Sequence, residues 1–151
     1  MKVFYDPRQS ALNNDSFSPS ACKPAKVVES WGKLGIPFDI ESFPPMTAQD
    51  IALVHEPDYV DGVLACTAEN GFGNKSPEVA TTLPWVCGSM VASALYTLQT
   101  GETSFSPTWE KLIVNASQSS TSFRTINSSM TRKAIRLAVL PGKYSSASHC
   151  T

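Results

Sequence analysis

Short β-rich runs alternate with helical segments over residues 1–108, and this alternation is the feature that most limits the fold. Strands are predicted at residues 2–5, 38–43 and 103–108, and the turn signals Asp6-Pro7 and Pro44-Pro45 end the first two. Helices are predicted at about residues 24–34, 47–54, 57–68 and 84–98. Strands that alternate with helices favour an α/β fold with a largely parallel sheet covered by helices.

Local signals set the expected ends of these helices. Thr47 with Asp50 three residues later is typical of a helix start, and Pro57 suits the first turn of the next helix. Gly35 and Gly101 are expected to end the first and last helices. In the last helix, which we predict to be the longest, one apolar face is formed by Val86, Met90, Ala94 and Leu98.

The charge of the chain divides sharply after residue 108. Residues 1–108 contain 6 Lys and Arg against 12 Asp and Glu, whereas residues 109–151 contain 6 Lys and Arg and a single acid, Glu110. The second segment is also rich in Ser and Thr. We therefore divide the chain into an α/β region at 1–108 and an unrelated basic segment at 109–151, packed on or extending the same domain. A basic face that pairs with the acidic body is the alternative interpretation.

Composition limits the expected partners and compartment. The formal net charge of -1 gives no reason to expect nucleic acid or an anionic membrane as a partner. The first eight residues place a charge and a proline where a signal peptide is apolar, and we expect no later run to approach the length of a membrane span. We expect a cytoplasmic protein whose four cysteines, which form no CxxC pair, are free thiols.

Several stretches of residues 1–108 resemble the N-terminal part of the histone deacetylase and acetylpolyamine amidohydrolase family. They are Tyr5-Asp6-Pro7, Ser18-Pro19 followed by a helix, the run VHEPDYVDGVL at 54–64, the loop at 70–78 and the helix at 88–95. The resemblance implies the N-terminal part of the arginase/deacetylase fold, with a long helix leading into a strand. In that family the strand ends at a glycine and two consecutive histidines that transfer protons.

The resemblance stops before the residues that the family uses for catalysis. Here the strand at 103–108 runs into Trp109-Glu110-Lys111. The histidine pair, the Asp-x-His and second Asp that hold zinc, and the tyrosine that polarises the substrate have no match. We therefore assign no catalytic residue, no metal ligand and no cofactor, and expect a truncated member whose catalytic part is replaced by an unrelated segment.

Other catalytic chemistry finds little support in the sequence. The chain has two histidines, His55 and His149, and a zinc hydrolase needs about three protein ligands besides a proton-transferring group. Cys66 and Cys87 lie on predicted helices, where an inert thiol is the usual finding. The run Gly71 to Ser76 lacks the glycine spacing of a phosphate-binding loop and follows a helix.

A ligand site, if the protein has one, is predicted at the loop of residues 70–83. Phe72 and Trp85 would be apolar walls for a small cationic ligand, and Glu69 and Glu78 would supply the opposite charge. The alternative, which we favour, is a surface loop whose two aromatic residues pack against neighbouring helices.

The functional prediction follows from the missing half of the family's fold. A partial sheet exposes an edge and apolar helix faces, which residues 111–115 as a strand, residues 130–140 as a helix, or a second copy of the chain would cover. We expect a catalytically inert homo-oligomer that acts as a binding or oligomerising module. The alternative is a zinc-dependent amidohydrolase of acetylated amines with a site assembled between subunits.

Overall fold

Where the structure describes the chain, a three-stranded parallel sheet is surrounded by helices, and this part has the character of a partial α/β fold. The computed structural model describes residues 1–12 and 19–108. The predicted strand at 111–115 and helix at 130–140 lie outside the described residues. The strands are β1 (Lys2–Phe4), β2 (Asp39–Glu41) and β3 (Ser104–Phe105).

The central strand of the sheet is β1, and the order is β2-β1-β3. Val3 is paired with Ile40 on one side and Phe105 on the other, and both pairings are parallel. Among the described residues, β2 and β3 each pair only with β1, so both are edge strands within this part of the chain.

In the described part of the chain, four α-helices connect and cover the strands. They are α1 (Lys23–Lys33), α2 (Ala48–Ala52), α3 (Pro57–Leu64) and α4 (Pro77–Thr100). Short turns of 3-10 helix occur at Pro7–Gln9 and Pro19–Cys22. The predicted cap of α2 is confirmed, because Thr47 and Asp50 form a reciprocal capping box. Gly35 and Gly101 follow α1 and α4 with positive φ angles of 67° and 73°, as glycine at a helix end allows.

The longest helix, α4, starts seven residues before the predicted start at Pro84. Ser76 caps it, since the Ser76 hydroxyl accepts a hydrogen bond from the Val79 N–H, and Pro77 occupies the first turn. Pro84 lies inside the helix. The predicted helix start at Pro84 is therefore wrong, and Pro77 is the proline at the start of the helix.

The 24 residues of α4 make it long and apolar enough, by length and composition alone, to cross a membrane. This corrects the expectation that no run approaches that length. In the protein 44% of its most apolar window is buried, and the buried core helix of a soluble protein passes the same test.

The sheet separates α1 from α4. Trp31 of α1 contacts Phe105 of β3 with ring centres 4.8 Å apart, whereas Phe4 contacts Tyr96 of α4 at 5.7 Å. Phe105 is paired with Val3, and successive residues of a strand point to opposite faces, so the two helices lie on opposite faces of the sheet.

The main core lies between α3, α4 and the segments next to α1. Six buried side chains form it, and we call them the core cluster: Ala11, Ala21, Val63, Val79, Leu83 and Val86. Partly buried side chains, including those of Tyr59 and Phe72, pack against this cluster. Burial of these apolar groups is the main term that stabilises α4 on the rest of the fold.

Candidate functional site

The carboxyl ends of the strands form the edge of the sheet where ligands bind in many parallel α/β proteins. The chain leaves β1 to α1 and β2, and it later passes through α4 to β3 on the other side of β1. The direction of strand order therefore reverses at β1. The residues that follow Phe4 and Phe105 consequently lie at a topological switch point.

A buried glutamine joins the segments that follow β1 and β3. Gln9 is fully buried, and its Nε2 donates a hydrogen bond to the Pro107 carbonyl over 3.3 Å. Its Oε1 accepts from the Asp6 N–H at 2.7 Å, and the Asp6 carboxylate accepts from the Arg8 N–H at 2.9 Å. This reciprocal cap fixes the short turn after β1 and with it the direction of Arg8.

Arg8 is held by a carboxylate along one edge and by an aromatic ring on one face. Its Nε and Nη2 donate to the two oxygens of Asp6 over 2.8 and 2.7 Å. The guanidinium carbon lies 3.4 Å from the centre of the Trp85 ring. Phe43 contacts the same ring edge-on, with ring centres 6.1 Å apart. We call Asp6, Arg8, Phe43 and Trp85 the Arg8–Trp85 cluster.

Helix α4 carries Trp85 to this edge of the sheet. Ser89, one turn after Trp85, donates to the Phe4 carbonyl, and Ser93 contacts Ser104 over 2.8 Å. The helix thus runs antiparallel to β1 and β3, so residues before Ser89 reach past the carboxyl ends of the strands. The segment after β2 is fixed there as well, because the Met46 N–H donates to the Pro84 carbonyl over 3.0 Å.

The attraction between Asp6 and Arg8 favours the charged form of both side chains. The guanidinium of Arg8, through its hydrogen bonds and charge, holds the pKa of the Asp6 carboxyl below its usual value. The Asp6 carboxylate in turn raises the pKa of Arg8. Both groups are therefore charged at neutral pH, and Arg8 remains 61% exposed in its side chain.

The four residues predicted from the sequence have different neighbours in the structure. Phe72 packs against the core cluster, whereas Trp85 packs against Arg8 and Phe43. Glu78 accepts a hydrogen bond from the Leu12 N–H over 2.8 Å. Glu69 is exposed, and its carbonyl accepts from the Tyr59 hydroxyl over 3.1 Å. The cationic ligand at these residues stays a prediction.

Asp6, Arg8 and Phe43 were not among the residues predicted to form a site. A usable signal was present, since Asp6-Pro7-Arg8 directly follows a predicted strand and Phe43 ends another. In a parallel sheet such positions meet at one edge. The proximity of Arg8 to Trp85 had no comparable signal, because the two lie 77 residues apart and α4 starts earlier than predicted.

The groups considered for catalysis belong to different segments of the described residues. His55 lies half-buried between α2 and α3, and His149 is outside the described residues. Cys66 and Cys87 are free thiols, and burial raises the pKa of the Cys87 thiol to about 12. A thiol with that pKa is a poor nucleophile at neutral pH. Within residues 1–12 and 19–108, no three His, Cys, Asp or Glu side chains are grouped to hold a metal ion.

No protein-family model, curated protein or solved structure significantly matches this chain. The described fold is that of a partial α/β protein with a parallel sheet. The carboxyl edge of this sheet carries the charged Arg8 and the aromatic Trp85.

Proposed function

We propose that the protein is a non-catalytic relative of the deacetylase-like family that residues 1–108 resemble, and that it acts by binding and self-association. One observation carries the proposal. The strand β3 ends at Phe105 and is followed by Ser106, Pro107 and Thr108, and then by Trp109, where the family has a glycine and its histidine pair.

The histidine content of the chain supports the non-catalytic role. The chain has two histidines, at positions 55 and 149, and they are not adjacent. A histidine pair at the end of β3 therefore cannot come from this chain, and the proton transfers of the family's reaction have no corresponding groups there.

Self-association is supported by the edges of the sheet. Ile40 on β2 is 54% exposed although its neighbour in the sheet, Val3, is fully buried. An edge strand with an exposed β-branched side chain favours pairing with another chain. We therefore expect a second copy of the protein to cover β2.

Turnover is the test of the non-catalytic role. The full chain, supplied with Zn²⁺, is incubated with an acetyl-lysine peptide and with an acetylated polyamine, and we expect no product above a protein-free control. Metal-dependent turnover would overturn this part of the proposal. Its loss in His55→Ala would then support the alternative, a zinc amidohydrolase with a site between subunits.

Light scattering coupled to size exclusion tests self-association separately. We expect a mass that is a multiple of 16.3 kDa over a wide concentration range, and a return to monomer in Ile40→Lys. Leu98→Lys is the matched control, because Leu98 is also 54% exposed but lies near the end of α4. A monomeric wild-type protein, or dissociation caused by Leu98→Lys alone, would contradict a role for β2.

A further inference from the structure

We infer that Arg8 is a receptor for the carboxylate of a small ligand at the carboxyl edge of the sheet. The inference rests on the binding role proposed above and assigns that role a site and a ligand chemistry. It uses the Arg8–Trp85 cluster, which contains Trp85 of the four residues predicted from the sequence.

The hydrogen-bonding capacity of the guanidinium is the first argument. Arg carries five N–H donors in a planar fork. Asp6 takes the edge formed by Nε and one hydrogen of Nη2. The opposite edge, formed by Nη1 and the second hydrogen of Nη2, has no hydrogen-bond partner among the described residues. That edge has the spacing of two parallel donors, which matches the two oxygens of a carboxylate.

Preorganisation is the second argument. A free arginine loses much side-chain entropy when it binds a ligand. Here two hydrogen bonds to Asp6 and contact with the Trp85 ring already fix the guanidinium plane. Binding would therefore cost less conformational entropy than at an ordinary surface arginine.

The position in the fold is the third argument. Arg8 follows the central strand β1, where the direction of strand order reverses, and its side chain is 61% exposed. Crevices outside the carboxyl ends of strands at such points are the general ligand sites of open α/β sheets. An exposed, fixed guanidinium at this place is accessible to a ligand from solvent.

Charge and shape select the class of ligand. The Arg8 guanidinium already covers one face of Trp85, so a cation at that face would have to displace it. Asp6 neutralises part of the Arg8 charge, and its carboxylate would repel a doubly charged phosphate more than a singly charged carboxylate. A planar monoanion fits both conditions.

Nuclear magnetic resonance of the ¹⁵N-labelled full chain tests the inference, with sodium acetate as the probe and sodium chloride at equal ionic strength as the reference. We expect saturable shifts of the Arg8 Nε–H and Trp85 indole N–H signals. The Arg8→Lys and Trp85→Phe variants assign these signals. Arg8→Lys keeps the charge but lacks the planar fork, so the indole shift should show acetate affinity reduced about tenfold or more.

A matched variant and a second anion make the outcome decisive. Lys33→Gln removes another exposed cation, whose partner Glu29 is 2.5 Å away, and should leave the acetate shifts unchanged. Shifts that do not saturate, that chloride reproduces, or that titrate with unchanged acetate affinity in Arg8→Lys would overturn the inference. Equal or tighter binding of inorganic phosphate would overturn the selection of a carboxylate. The mass and turnover experiments measure different quantities from this titration. A monomeric mass or metal-dependent turnover would refute the proposed function and leave the result of the titration unchanged.

Discussion

The Ser89 hydroxyl donates a hydrogen bond of 2.5 Å to the carbonyl oxygen of Phe4, and this bond attaches the longest helix to the end of the central strand. Ser89 is fully buried. Because its single proton goes to Phe4, Ser89 accepts the proton of Ser106, whose oxygen lies 2.6 Å away. One side chain thus joins α4, β1 and the segment after β3.

Replacement of Ser89 by Ala should destabilise the protein by about 1–3 kcal/mol, because the Phe4 carbonyl and the Ser106 hydroxyl lose a partner in a buried place. Urea unfolding followed by circular dichroism measures this free energy. Ser30→Ala on the exposed surface of α1 is the control and should change stability by less than about 0.5 kcal/mol. Equal effects of the two substitutions would contradict the role of Ser89.

Close contact between α4 and the segment after β2 gives a second prediction. A Cβ atom on Gly88 would collide with the Pro44 carbonyl oxygen and would lie 3.3 Å from both a Phe43 ring carbon and the Pro45 Cα. Gly88→Ala should therefore destabilise the protein by about 1–3 kcal/mol, although Ala is the better helix former.

Gly32 in α1 is the matched control for Gly88. An added Cβ there has no neighbour within 4 Å. Gly32→Ala should stabilise the protein by up to about 1 kcal/mol, because Ala has the higher helix propensity. Thermal unfolding of both variants checks the opposite signs, and a stabilising Gly88→Ala would show that α4 does not pack closely on Pro44.

The sequence was sufficient to predict most elements of the described fold, because their signals are local. Short β-rich runs predicted the strands. The Thr47 capping box predicted the start of α2, and Gly35 and Gly101 predicted the ends of α1 and α4. The early end of α3 had no such signal. Cys66 follows it with a φ of 59°, a conformation that glycine usually adopts, so the sequence favoured a longer helix.

The sequence-based predictions failed where contacts between distant parts of the chain determine the structure. Pro84 is tolerated inside α4 although an internal proline costs about 3 kcal/mol, because burial of Val79, Leu83 and Val86 favours the continuous helix. The alternation of residues 38–43 predicted a half-buried strand, but Ile40 is 54% exposed, and among the described residues β2 pairs only with β1. Of the predicted site, Trp85 belongs to a polar cluster, and its partner Arg8 could not be found from spacing along the chain.

Two leucines of α4 provide a third prediction, on the core. Leu83 is 3% exposed and belongs to the core cluster, whereas Leu98 is 54% exposed. Leu83→Ala should destabilise the protein by about 2–5 kcal/mol through lost burial and the cavity that remains. Leu98→Ala makes the same chemical change in the same helix and should cost less than about 0.5 kcal/mol. Denaturant midpoints measured at one protein concentration compare the two, and similar losses would contradict the packing of α4 on this cluster.

The fourth prediction concerns pH and follows from the pair formed by Asp6 and Arg8. Arg8 holds the pKa of Asp6 in the folded protein below the value of about 3.9 expected in the unfolded chain. Such a group stabilises the fold above its unfolded pKa, and that stabilisation is lost as pH falls through the folded pKa. Asp6→Asn keeps an oxygen to accept from the Arg8 N–H but cannot ionise, so its stability should lack this pH dependence.

Thermal unfolding of the wild-type protein and Asp6→Asn between about pH 6 and pH 2 checks this, with both midpoints taken in the same buffers. The wild-type protein should be the more stable at pH 6, and the difference between the two midpoints should shrink below about pH 4. Arg8→Gln should lose the same pH-dependent part, because it removes the partner and leaves the acid. A midpoint difference that stays constant or grows towards low pH would mean that the Asp6 pKa is not lowered by folding. In that case the fixed orientation of the guanidinium could not be attributed to the Asp6 charge.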